Sequence, residues 1–222
     1  MKRAIALILL FSLLLALCGC GGKSESDPSE QQLETNAAKA AQGQPYEGEI
    51  PKDIFGIYDE ESYVNNAFGV KYQRDGSWSF YTLRKLADLN GSSDETVEVL
   101  KRTGFVYDMY ASSGLETIGF ALAIPSSQFG KAMTEEAYAQ AVKEASARDY
   151  AGADYDVISD EVGAVQFGGA QHACYYLTVA ANGMVFHTVR IFLQRDDFIG
   201  IIYISADSDE HLSSLLSSFS GV

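Results

Sequence analysis

From residue 170 to residue 206 the sequence is mostly apolar, and Asn182-Gly183 and Asp196-Asp197 divide it into three runs. Asn-Gly between apolar runs is the strongest short hairpin signal, because both turn residues need a left-handed backbone. A two-residue turn there pairs Ala181 with Met184, so that paired positions sum to 365; a second turn at Asp196-Asp197 makes them sum to 393. In these registers Cys174, Tyr176, Val189, Ile191 and Ile202 share one face, and Tyr175, Leu177, Phe186, Phe192 and Ile201 share the other. A sheet that is apolar on both faces must be covered on both. The expected fold is therefore α+β, an antiparallel sheet with helices on both faces, an α/β/α sandwich.

The remaining elements follow from caps and periodicity. Thr82 caps a helix over Leu83–Leu89 that Asn90-Gly91 stops, and Ser92 with Glu95 offers a capping box for a helix ending near Gly104. Thr134 caps the longest helix, Glu135–Tyr150, whose first two glutamates suit its positive end. Asp207 and Glu210 form a capping box for a last helix with the stripe Leu212, Leu215, Leu216 and Phe219. Strands are expected as a short pair within Tyr63–Tyr72, then Phe105–Ala111 and Thr117–Ile124 around Ser112-Ser113-Gly114. Val157–Val162 follows, and then a strand from Ala164 that runs through Gly168-Gly169, as a bulge, to residue 182.

The amino terminus carries a different message. Lys2 and Arg3 precede an apolar run, Ala4–Leu17, too short to span a membrane. Leu17-Cys18-Gly19-Cys20 then resembles the bacterial lipobox. Cys20 is the expected lipidation site, since Gly19 precedes it and Leu17 stands three residues before it. This divides the chain into a lipoprotein signal peptide (1–19), a lipidated terminus and tether rich in Gly, Ser, Gln, Glu and Ala (20–52), and one domain (53–222). The partner implied is the membrane, reached through lipid on Cys20, at the extracytoplasmic face of a bacterial cell membrane. Without residues 1–19, 14 basic side chains face 30 acidic ones, a net charge of −16. That balance argues against nucleic acid and against an electrostatic grip on anionic lipid, leaving anchoring to acyl chains. With Cys20 acylated, Cys174 is the one remaining thiol, so no internal disulfide is expected.

Element order, the early strand with Asn66, Phe68 and Gly69, and Trp78-x-Phe80 before the first helix resemble the PsbP-like fold over residues 54–222. That fold is shared by the extrinsic photosystem II subunit, a Ran-binding nuclear import factor and many bacterial lipoproteins. The resemblance implies a binding or assembly role without shared catalytic residues.

The residues themselves carry little chemistry. His172 and His187 share a sheet face but lie about 20 Å apart, and Cys174 is about 13 Å from His187, at ~3.3 Å per residue. Neither a metal site nor a thiol–imidazole dyad follows, and Cys174 reads as a small buried hydrophobe. His211 reads as solvated. The acids Asp154, Asp156, Asp160 and Glu161 miss a calcium loop, which wants glycine at Ser159 and glutamate at Val165. No nucleophile elbow or phosphate loop occurs, so no enzyme and no cofactor is expected. Arg190 stands out: the two registers place Tyr175 on one side of it and Tyr203 on the other, a cation between phenol rings. It reads first as a brace that caps a helix end or pairs with an acid. The alternative is a pocket near Arg190 for a small anionic or aromatic ligand. An exposed aromatic patch at Trp78, Phe80 and Tyr81 would instead favour a protein partner.

Overall fold

The computed structural model describes residues 44–150, 155–181 and 183–222. The signal peptide, Cys20, most of the tether, Asp154 and Asn182 lie outside the described residues. Within them, β4 (Ser79–Phe80), β5 (Phe105–Ser113), β6 (Glu116–Ala123), β7 (Asp156–Phe167), β8 (Ala170–Ala181), β9 (Met184–Arg195) and β10 (Phe198–Ala206) form an antiparallel sheet in the order β4-β5-β6-β10-β9-β8-β7. A second antiparallel sheet, β1-β2-β3-β11, joins Ile57–Tyr58, Ser62–Asn65, Val70–Gln73 and Phe219–Gly221.

Both inferred registers hold. Ala181 pairs with Met184, Cys174 with Ile191 and Tyr175 with Arg190; Phe198 pairs with Arg195 across the turn, where Asp196 is left-handed at φ 52°. Gly168-Gly169 corrects the sequence reading. Phe167 pairs with Ala170, and both glycines have positive φ, so they form a two-residue hairpin turn and not a bulge. The strand before them runs unbroken through Gly163.

The two faces of the large sheet pack into separate cores. Tyr175, Leu177, Phe186, Phe192 and Ile201 cluster with Leu86 and Leu89 of α1 (Leu83–Leu89) and with Tyr138, Ala139 and Val142 of α4 (Glu135–Tyr150). Cys174, Val189, Ile191 and Ile202 cluster with Tyr63, Tyr72 and Phe219 of the small sheet. Val99 and Leu100 of α2 (Thr96–Thr103) and Leu212 of α5 (Asp209–Ser217) join that second core. A short helix, α3 (Pro125–Phe129), follows β6.

Three local expectations change. Glu95, not Ser92, is the N-cap of α2 and makes no side-chain cap bond; Ser92 Oγ accepts from the Asp94 amide instead. Ser208, not Asp207, caps α5, accepting from the His211 amide. Phe219 leaves the helix and pairs with Tyr72, where the two rings meet at a tilt with centroids 5.0 Å apart.

Asp108 is the unexpected core residue. The β5–β6 register slips between Tyr107 and Met109, so Asp108 is an extra residue in a bulge. The bulge aims its carboxylate at the small sheet, where it accepts from the Tyr63 hydroxyl (2.6 Å) and the Gly56 amide (2.7 Å). Burial raises its pKa to about 6, against the pull of those hydrogen bonds. Since the folded value exceeds the ordinary value of 3.8, this group stabilises the fold fully only below the unfolded pKa, and loses that contribution as pH rises through 6. The shift is worth on the order of 3 kcal/mol. Asp108→Asn keeps an acceptor for both donors without the charge. Its melting temperature is expected to exceed wild type at pH 7.5, with the gap closing by pH 4.5; a gap constant with pH would contradict the assignment.

Candidate functional site

Arg190 sits in the middle of β9 and is buried to 2% exposure, although a guanidinium is costly to remove from water. Its strand partners are Tyr175 on β8 and Tyr203 on β10, and its Cζ lies 5.6 Å and 5.9 Å from their ring centroids. Tyr203 in turn stacks on Tyr110, and Tyr110 meets Tyr107 edge-on. The cation thus faces a cluster of phenol rings, whose π-faces attract positive charge. From the helix layer, Ser146 Oγ accepts from Arg190 Nη1 at 3.3 Å. Nη2 makes no hydrogen bond, and among the described residues no carboxylate lies within ion-pair distance of the guanidinium. The expected helix-end cap or acid partner is not found among the described residues, where Arg190 meets two tyrosine rings and one hydroxyl inside α4.

The other singled-out residues have structural surroundings. Cys174 is fully buried, and burial pushes its thiol pKa up, against a reactive thiolate. His172 lies 3.0 Å from Glu135. Glu135 also accepts the Ala173 and Gln194 amides, so it clips the start of α4 to the ends of β8 and β9. Its position at the positive end of a helix was legible in the sequence; this clip was not. Asp160 pairs with Lys143 at 2.6 Å. Trp78 is buried, Phe80 stacks on Tyr58, and Tyr81 packs on Tyr110, so these three rings do not make the exposed patch that would favour a protein partner.

His211 is exposed, as expected, but not merely solvated. Its Nδ1 lies 2.9 Å from both Glu116 and Asp207, and these three side chains bring one ligand atom each within 4.8 Å of one another. The hydrogen bond to Glu116, with Asp207 adding to it, raises the imidazole pKa above its ordinary value. Sequence reasoning missed this cluster because Glu116 and His211 are far apart in the chain, and no turn revealed that β6 lies beside β10. The open part of the sheet was missed too. Tyr176 and Val185 are 36% and 39% exposed, although Cys174, Val189 and Ile191 on the same face are fully buried. No described helix is long and apolar enough to cross a membrane.

No protein-family model matches the sequence, and no curated protein matches it. Among solved structures, the chain is similar to the solution structure of cyanobacterial PsbP (CyanoP) from Synechocystis sp. PCC 6803, with 14% identity, 79% of this chain and 99% of that chain covered, and a TM-score of 0.44. It is also similar to LpqN, involved in cell envelope biogenesis of Mycobacterium tuberculosis, with 9% identity, 67% and 76% coverage and a TM-score of 0.33. A Bacteroides thetaiotaomicron protein matches at 6% identity, 73% and 48% coverage and a TM-score of 0.36. A PsbP structure is thus among the matches.

Two substitutions test these environments. Arg190→Met keeps the apolar stem but removes the contacts with Ser146, Tyr175 and Tyr203. As a brace, Arg190 is expected to lower the melting temperature by several degrees when replaced; an equal or higher melting temperature would overturn the brace and favour a ligand pocket. Cys174→Ala is expected to cost at most a few kcal/mol through lost packing. Rapid labelling of native Cys174 by a thiol reagent would contradict its burial.

Proposed function

We propose that this chain is a lipid-anchored lipoprotein on the extracytoplasmic face of a bacterial cell membrane, a non-enzymatic binding or assembly module held off the bilayer by residues 20–52. The observation that carries the reading is Leu17-Cys18-Gly19-Cys20 directly after the apolar run Ala4–Leu17. Two acyl chains anchor stably where one does not, so a diacylated Cys20 suffices without help from basic residues. One feature of the domain supports a binding role: Tyr176 and Val185 are exposed apolar side chains on one face of β8 and β9. The partner that fits them is a protein surface.

A second reading is favoured by Arg190 Nη2, a buried donor without a hydrogen bond. In it, Arg190, Tyr175 and Tyr203 bind a small anionic or aromatic ligand behind α4, and no metal is involved. A small molecule that co-purifies with wild type and is lost from Arg190→Met, seen by native mass spectrometry, supports this reading.

Replacing Cys20 with Ser is expected to move the protein from the detergent phase to the aqueous phase or to leave it as uncleaved precursor, while Cys18→Ser keeps it membrane-bound. Partition of Cys20→Ser into the detergent phase would overturn the lipidation assignment. A Tyr176→Glu variant that folds normally is expected to lose crosslinking to its membrane partner.

A further inference from the structure

We propose that Glu116, Asp207 and His211 form a binding site for a divalent transition-metal ion of the zinc class. The proposal rests on described residues alone and holds whether or not Cys20 carries lipid.

The fold brings the three together at one end of the large sheet. Thr117 pairs with Ser205 across β6 and β10, so Glu116, which opens β6, and Asp207, which follows β10, emerge side by side. Ser208 then caps α5, and the first turn of that helix returns His211 over the same rim, four residues after Asp207. His211 Nδ1 is 2.9 Å from Glu116 Oε1 and 2.9 Å from Asp207 Oδ1. A zinc ion held at about 2.0–2.2 Å by three protein ligands and water wants ligand atoms about 3.3–3.6 Å apart, so only a small opening of this cluster is needed.

The donor set selects the metal. Calcium and magnesium take oxygen ligands, whereas one imidazole nitrogen with two carboxylates suits zinc, cobalt, nickel or manganese. The adjacent strand carries another imidazole of the same rim. His187 pairs with Ala206, the residue before Asp207. Its buried Nδ1 lies 2.7 Å from Asp209 Oδ1 yet forms no aligned hydrogen bond. The rim thus holds two imidazoles against three carboxylates. Among the described residues, the ion-pair partners of Glu116, Asp207 and Asp209 are histidines, not lysine or arginine.

The test uses the full-length chain in detergent, titrated with zinc chloride, cobalt chloride or calcium chloride and followed by calorimetry, melting temperature and cobalt visible absorption. Expected is one zinc or cobalt ion per chain, a metal-dependent rise in melting temperature, and at least a tenfold loss of affinity in both His211→Ala and Glu116→Gln. Both variants change solvent-accessible side chains, and their metal-free melting temperatures check that they fold. His172→Ala, which alters the histidine held by Glu135, should bind as wild type. Unchanged zinc affinity in His211→Ala, no binding at about 1 mM zinc, equal loss in His172→Ala, or calcium bound as tightly as zinc would each overturn the proposal.

Discussion

The central strands have no polar face. Every residue of Phe198–Ala206 is buried, and the strands on either side are apolar in both directions, so this sheet is stable only when two separate covers are in place at once. The covers are built differently. Helices α1 and α4 pack on the Tyr175 side, while the small sheet, with α2 and α5, packs on the Cys174 side. The small sheet draws β1 to β3 from the start of the domain and β11 from its end, and Phe219 against Tyr72 closes it. Completing that cover therefore requires chain segments separated by nearly the whole domain to meet, a non-local requirement that favours all-or-none assembly. Asp108 sits on this seam. The bulge that displaces it from the alternation of β5 lets one carboxylate hold both β2, through Tyr63, and the preceding loop, through Gly56.

What the sequence made legible was what two-residue turns and helix caps encode locally. Asn182-Gly183 and Asp196-Asp197 fixed two registers to the residue, and Thr82, Thr134, Asn90 and Gly104 marked helix ends that the structure places there. Errors arose where two local signals overlapped. Asp207–Glu210 and Ser208–His211 carry the same three-residue spacing, and the hydroxyl won. Phe219 continues a helical stripe from Leu212, yet strand pairing with β3 outweighs one more turn of helix. Gly168-Gly169 resembles a bulge within one strand because apolar residues flank it on both sides; its two positive φ values make it a reversal. The bulge at Asp108 left no local mark at all, because its reason is Tyr63, far away in the chain.

The same division applies to the polar sites. Arg190 between Tyr175 and Tyr203 could be written down from register arithmetic, because both neighbours are joined to β9 by short turns. The Glu116, Asp207 and His211 cluster could not, because β6 reaches β10 only after two helices and three strands. Local turns constrain the order of hairpin strands but say nothing about which earlier strand closes the sheet against them.

The two polar sites also differ in how anything could reach them. The Glu116 rim opens directly to water, with His211 more than half exposed. Arg190 is enclosed, and a ligand for it has to displace part of the helix layer or of the tyrosine cluster. Glu135 fixes the first turn of α4 through the amides of Ala173 and Gln194, and Lys143 ties the middle to Asp160. One turn further on, Ser146 Oγ accepts from Arg190 Nη1, so the same helix that is clipped to the strand ends also covers the cation. The rim is reached from water as it stands, whereas reaching Arg190 requires moving side chains that the fold packs over it.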